Sequence, residues 1–386
     1  MRISTERSNL ITGLNIVRRI IPARLARTAL SHILITTDGN LIRLSSTNRA
    51  ISIHAWIVGN VDEEGAIAVP AKTILDFVDA LPPGQVKLQQ ERDTATLYVQ
   101  GERSKAAIKG LNDLEFYPLP VEDTSNCIPL GSDDFQTAIS QVIIATSTSA
   151  ELGPLSGILL TNEESNGITL AASDGYRLAV RHVSLPEQRQ FLAFNMIIPI
   201  QAMAEWLHIS KILAHRQTHP VLIGISQNKS IFFQAQLPSD APVSNVLMTS
   251  QLIASNFPNY RRLIPDDWKT QVVVSTKELE NACQIARIFT RGDKPAVTFH
   301  AQPGRLTVSA TSLLTGDTKT DIDAVVEGKE VQVAFNPKFI IDCLSVINSP
   351  KAMMGITSKS GPTLIRPVSG DDFTYIVMPL ALGANL

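Results

Sequence analysis

An α+β fold of three repeated units, each with two helices packed on antiparallel sheets, is predicted by three features of the sequence. A proline opens a short amphipathic stretch three times, at Pro70, Pro199 and Pro337, roughly 130 residues apart, an ordinary domain length. Strand-like alternation flanks each of these stretches. A further apolar stripe at helical spacing precedes each set of strands. At 386 residues the chain is too long for one ordinary core, and the predicted units are 1–122, 128–262 and 266–386. Turn formers mark both boundaries, near Pro120 to Ser125 and at Pro265-Asp266-Asp267.

In the first unit, Leu10, Gly13, Leu14, Val17 and Ile20-Ile21 make a helical stripe. A turn at Asp38-Gly39-Asn40 leads into Leu41 to Leu44, then Ile51, Ile53, Ala55 and Ile57 alternate as a half-buried strand. Pro70 starts a helix through Leu81, because proline lacks the N–H that the first helical turn leaves unpaired. Val86 to Leu88 and Thr96 to Val99 are further strands. In the second unit, Phe135, Ala138, Ile139, Val142 and Ile143 form the stripe of a helix from Asp133 to Ala145. Strands follow at Ile168 to Leu170 and Tyr176 to Val180, then the Pro199 helix to Leu207, then Val221 to Ile223 and Ile231 to Phe233. In the third, Leu279, Ala282, Cys283, Ala286 and Phe289 mark a helix from Thr276 to Phe289. A strand at Arg305 to Val308 precedes the Pro337 helix to Leu344, and Met353 to Ile356 and Thr363 to Ile365 follow.

Hydrophobic residues make up 44% of the chain, which excludes a disordered polypeptide. No run of apolar residues is long enough to span a bilayer, so no membrane partner is expected. Met1 to Arg7 contains no apolar core of a secretory signal. The 3 cysteines, Cys127, Cys283 and Cys343, lack C-x-x-C spacing, which argues against a disulfide framework or a zinc site and for a reducing cytoplasm.

Catalytic chemistry is missing. His215 and His219 have helical spacing but lack the glutamate of a zinc protease, and Pro220 follows them. No phosphate-binding loop, dinucleotide fingerprint or nucleophile elbow occurs, and Asp266-Asp267 sits in a solvated turn. The chain reads as a protein without enzymatic activity, cofactor or metal. Net charge is −2, so nucleic acid would have to be met by basic residues gathered on one face. Arg18, Arg19, Arg24 and Arg27 follow the first helix; Lys277, Arg287, Arg291 and Lys294 flank its counterpart in the third unit. Lys72 and Lys338 stand near the starts of two proline-led helices. Two readings fit: ordinary solvated faces, or helices lining a path for phosphates. The repetition itself also allows two readings, simple enlargement or a closed ring.

Three segments carry a resemblance. Ala172-Ser173-Asp174-Gly175-Tyr176-Arg177-Leu178-Ala179 resembles the A-[TS]-D-[GS]-[HY]-R-L-A pattern of bacterial DNA polymerase III beta subunits, the sliding clamps. Phe257-Pro258-Asn259-Tyr260-Arg261-Arg262-Leu263-Ile264-Pro265 is similar to that family's F-P-[DN]-Y-R-x-[VL]-[IL]-P, and Tyr375-Ile376-Val377-Met378-Pro379-Leu380 to its terminal Y-[LIV]-[VI]-[ML]-P-[MLV]. Val69-Pro70-Ala71-Lys72 also fits, and the resemblance spans essentially the whole chain.

The resemblance implies a head-to-tail homodimeric ring of clamp domains, with helices lining a central hole that duplex DNA threads without sequence readout. Enclosure then replaces affinity, which accommodates the slightly negative net charge. The implied DNA-facing residues are Arg18, Arg19, Arg24, Arg27, Lys72, Lys277, Arg287, Arg291 and Lys338. The implied dimer seam is Ala106, Ile108, Ile288 and Phe289. A peptide-binding pocket would comprise Leu155, Ser173, Gly175, Tyr176, Arg177, Leu178, Pro258, Arg262, Leu263, Pro362, Ile376, Val377, Met378, Pro379 and Leu380. Read from residues alone, Val377-Met378-Pro379 fits equally a final core strand. Implied partners are the polymerase III alpha subunit, the clamp loader and other proteins of replication and repair, in the cytoplasm at the nucleoid. The implied function is a processivity factor; the alternative is a clamp-like adaptor that does not encircle replicating DNA. Departures from the pattern include Ala381, the Gly383 to Leu386 extension, Leu152-Gly153-Pro154, Gln201 in place of a counterpart to Lys72, and the small Ala106.

Overall fold

Helices pair with antiparallel sheets throughout the computed structural model, two helices to each repeat. It describes all residues except 23–28, 92–93, 113–115, 117–126, 148, 163–166, 186–192, 215–218, 227–229, 239, 291–294, 313, 371 and 382–386. The helices are α1 (Arg7–Val17), α2 (Ala71–Ala80), α3 (Ser132–Ile143), α4 (Ile200–Leu213), α5 (Thr276–Ile288) and α6 (Pro337–Leu344). Pro337 occupies the first turn of α6 as the sequence predicts, whereas Pro70 and Pro199 are the last residues of the preceding strands and stand just before α2 and α4 rather than inside their first turns. Asn336 caps α6 by accepting from the N–H of Lys338 at 3.0 Å. The first helix stops at Val17, and Arg18–Ile20 tightens into a 3-10 turn.

The strands in chain order begin with β1 (Arg2–Glu6), β2 (His32–Asp38), β3 (Leu41–Thr47), β4 (Ile51–Val58), β5 (Asn60–Glu63) and β6 (Ala66–Pro70). Next come β7 (Gln85–Glu91), β8 (Thr96–Gln100), β9 (Lys105–Lys109), β10 (Leu111–Asn112), β11 (Ile128–Leu130), β12 (Gly157–Thr161) and β13 (Gly167–Ser173). They continue with β14 (Arg177–Ser184), β15 (Asn195–Pro199), β16 (Val221–Ile225), β17 (Ser230–Gln236), β18 (Val243–Gln251) and β19 (Thr270–Ser275). The last are β20 (Val297–Gln302), β21 (Arg305–Ser312), β22 (Gly316–Gly328), β23 (Val331–Phe335), β24 (Lys351–Ile356), β25 (Thr363–Pro367) and β26 (Phe373–Val377). Tyr176, predicted to lie in a strand, belongs to the turn before β14.

The chain divides into two compact units. The first, residues 1–136 and 201–252, holds a 5-stranded sheet in the order β5-β1-β7-β8-β9 and a 9-stranded sheet in the order β10-β6-β2-β3-β4-β18-β17-β16-β11. Its core includes Leu10, Leu14 and Val17 of α1 and Ile74 and Val78 of α2. It also includes Trp206 stacked on Phe233 with ring centroids 5.3 Å apart. The second unit, residues 137–200 and 253–386, holds a 12-stranded sheet, β15-β12-β13-β14-β26-β25-β24-β19-β22-β21-β20-β23. Leu279, Ala282, Cys283 and Ala286 of α5 and Ile340, Cys343 and Leu344 of α6 are buried in it.

The sheets therefore run through the repeats. β18 of the central repeat pairs with β4 of the first, from Val243 against Ile57 to Ser250 against Ile51. β14 of the central repeat pairs with β26 of the third, from Arg177 against Val377 to Arg181 against Phe373.

Candidate functional site

Ser173 ends β13 and Arg177 begins β14, leaving Asp174-Gly175-Tyr176 to turn the chain. Gly175 sits at φ +91°, where a side chain would strain the backbone. Asp174 Oδ1 accepts from the N–H groups of Tyr176 at 3.0 Å and Arg177 at 3.1 Å. Ser173 Oγ donates to the Arg177 carbonyl at 2.7 Å and accepts from the Gly175 N–H at 3.2 Å. The bonded turn holds the Tyr176 side chain out, 66% exposed.

β26 lies beside this turn, with Leu178 opposite Ile376. The pairing continues one step past the strand, where the Met378 N–H donates to the Tyr176 carbonyl at 2.9 Å. Beneath, Leu178 and Ile376 join Leu159, Leu364 and Tyr260 in one buried cluster, with Phe257 and Ile264 packed against it. Tyr260 opens a 3-10 turn, Tyr260–Leu263, and Pro258, Arg262 and Leu263 of the same F-P-N-Y segment are exposed. Leu263 is 52% and Met378 40% exposed. Leu155, Pro362, Pro379 and Leu380 are half-buried, and Val377 is fully buried, so the last segment is both a core strand and a surface ledge. A cavity of about 170 Å³ opens alongside, between Leu159, Asn195, Phe257 and Tyr260.

Arg177, named among the implied pocket residues, is only 7% exposed and points inward. Its Nε donates to Asp174 Oδ2 at 2.9 Å and its Nη1 to Asp342 Oδ2 at 2.8 Å. The guanidinium carbon lies 4.3 Å from the centroid of the Phe339 ring. Burial opposes its charge, but Tyr375 and the two carboxylates outweigh burial, so it holds its proton more firmly than an ordinary arginine. Tyr375 itself is pushed upward by burial, and its hydroxyl donates to the Phe339 carbonyl at 3.0 Å. Asp342 and Phe339 escaped the sequence analysis: they lie on α6, far along the chain, and only the fold brings them here.

The basic residues fall into two groups. Arg18, Lys72, Lys277 and Arg287 are exposed and carry no ion pair among the described residues. Arg19 instead donates Nε to Glu205 Oε2 at 2.6 Å, which neutralises a charge expected to face phosphates. Lys338 donates Nζ to Asp342 Oδ2 at 2.6 Å. Arg24, Arg27 and Arg291 lie outside the described residues.

Of the seam residues, Ile288 is 66% exposed and Phe289 half-buried at the end of α5, beside an open cleft of about 540 Å³ that Arg287 and Ile341 also line. Ile108 is a correction: it is 4% exposed and turns into the core of the first unit, opposite Leu97, because Lys105 to Lys109 alternates with its lysines outward. Ala106, on the same strand, is half-buried. Leu314 is 86% exposed on the β21–β22 turn, which Thr315 Oγ1 ties to the Phe289 carbonyl at 3.3 Å.

Among the described residues, no group of three His, Cys, Asp or Glu side chains is placed to hold a metal ion, and no helix is long and apolar enough to cross a membrane. Cys283 and Cys343 are fully buried, and burial pushes both thiols up, away from the reactive thiolate.

Three family models match the chain end to end. They describe the N-terminal domain of the DNA polymerase III beta subunit over residues 1–122, its central domain over 129–259 and its C-terminal domain over 261–381. The beta sliding clamp of Bacillus subtilis is 26% identical, over 98% of this chain and 99% of its own. That of Synechococcus elongatus is 24% identical, over 99% of this chain and 100% of its own. A crystal structure of the Bacillus subtilis DNA polymerase sliding clamp superposes with a TM-score of 0.88 at 25% identity, covering 98% of this chain and 99% of that one.

Proposed function

The chain belongs to the DNA polymerase III beta-subunit family, and on that premise we propose that it is a sliding clamp. It is a non-catalytic processivity factor that tethers a replicative polymerase to duplex DNA, working in the cytoplasm at the nucleoid. Two copies close head to tail into a ring of six clamp domains, with repeats at 1–122, 128–262 and 266–386. Exposed Ile288 and Leu314, with half-buried Phe289, meet the β9 edge and Ala106 of the second copy, with Ile108 holding that strand from behind. Arg18, Lys72, Lys277 and Arg287 face the phosphates. Few free charges suit the task, since a clamp that gripped each phosphate strongly would slide poorly.

The observation that carries the reading is the exposed pair Tyr176 and Met378, joined by the Met378 N–H to Tyr176 carbonyl bond beside the buried Leu178–Ile376–Tyr260 cluster, with exposed Leu263 three residues past Tyr260. Exposed apolar side chains beside an ordered sheet suit a short linear motif whose leucine or phenylalanine anchors in the groove. Met378, flexible and polarizable, adapts the floor to different partners among the polymerase alpha subunit, the clamp loader and repair proteins.

Titration of a labelled polymerase C-terminal peptide tests this. Met378→Ala should weaken binding by roughly tenfold to a hundredfold, about 1–3 kcal/mol. Equal affinities would mean that the groove lies elsewhere. Retention on nicked circular DNA, lost when the circle is cut, separates a clamp from an adaptor that binds partners without encircling DNA.

A further inference from the structure

The turn that carries Tyr176 is held from α6. Asp174 Oδ1 accepts both backbone N–H groups of the turn, and Asp174 Oδ2 accepts from Arg177. Arg177 in turn is held by Asp342 Oδ2 and by the face of Phe339. The α6 side of this relay is itself rigid, since Pro337 and the Asn336 cap fix the first turn of the helix. Tyr176 makes no side-chain hydrogen bond among the described residues, so the backbone of the turn alone sets where its ring stands.

We propose that Asp342 is a positioning residue for peptide binding: it anchors Arg177, and through Asp174 sets Tyr176 at the edge of the groove, without touching the peptide. This rests on the groove reading above. The physical reason is the cost of an unpaired charge in a site with little water. With Asp342 neutral, Arg177 would keep one carboxylate of two and swing toward solvent, drawing Asp174 and the turn with it. A flexible peptide already loses freedom on binding, and a groove edge that must also be ordered adds to that cost.

The test uses the full-length protein and a fluorescein-labelled peptide copying a polymerase clamp-binding motif. Asp342→Asn, which keeps the side-chain shape, should lower affinity about tenfold with the oligomeric mass unchanged. The loss should persist between about 0.05 and 0.3 M salt, because the Arg177 pair is shielded where a surface field would be screened. Arg177→Lys should cause a similar loss, and the double variant should lose no more than the larger single one, as coupled residues do. Glu327→Gln, removing an exposed carboxylate on β22, should bind as the wild type does.

If Met378→Ala weakens binding while Asp342→Asn does not, the inference is overturned and the groove stands. If neither variant changes binding, the groove reading falls and takes the inference with it. A loss for Asp342→Asn that vanishes at the higher salt also overturns it. Should Asp342→Asn melt below the assay temperature, Asp342→Glu replaces it: weaker binding by a protein of native melting temperature supports the inference, and unchanged binding overturns it.

Discussion

Arg19 and Glu205 meet at 2.6 Å, Nε to Oε2, a pair joining the first helical segment to α4 inside one compact unit. The contact makes Arg19 a conditional member of the phosphate-facing set. Glu205→Gln should release it, steepening the dependence of log affinity for duplex DNA on log salt by about one. Arg18→Gln should flatten the same slope by about one, for every DNA sequence alike. An unchanged slope in Glu205→Gln would put Arg19 away from the DNA path.

The seam makes a paired prediction. Ile288→Asp with Phe289→Asp should yield a folded monomer in sedimentation, since burying each apolar group is worth roughly 1.5–3 kcal/mol to the dimer. Ile108→Ala should behave differently. With the side chain 4% exposed in the single chain, its loss should destabilise the fold itself, by about 2–5 kcal/mol, and lower the melting temperature.

Acid should find a weak point at His54. It is 3% exposed on β4, its Nδ1 lies 2.9 Å from Ser45 Oγ, and its Nε2 has no hydrogen-bond partner among the described residues. Burial, with Arg43 adding to it, lowers its pKa to about 4. Between pH 6.5 and about 4 the unfolded chain binds a proton that the folded chain refuses, so stability falls as pH falls through that window. The loss approaches ~3 kcal/mol near pH 4. Urea midpoints measured across this range should drop less steeply in His54→Gln, and parallel curves would remove His54 as the cause.

Much of this was legible in the sequence because the signals are local. Proline marks where α2, α4 and α6 begin, from within the first turn at Pro337 and from the residue just before the helix at Pro70 and Pro199, a signal that needs no knowledge of the fold. The A-S-D-G-Y-R run likewise contains its own turn, with Asp174 and Gly175 supplying the bonds and the positive φ. What escaped depends on distant partners. β18 reads poorly as a strand because Val246 to Ser250 is buried without a break between two neighbouring strands, so the period of two disappears. The facing of Ile108 could not be told from a five-residue strand with two adjacent alanines. The inward turn of Arg177 was not legible because Asp342, which draws it inside, is contributed by another repeat.

The pairing of β4 with β18 also bears on how the chain comes apart. A protease cut between the first two repeats would leave no loose ends: residues 1–122 would stay zipped to the far half of the central repeat until that sheet melted. The central repeat itself is divided between the two compact units, β16 to β18 with one and β12 to β15 with the other. Amide exchange should follow that division, so Phe233 keeps time with Ile53 while Leu170, from the same repeat, keeps time with Tyr375.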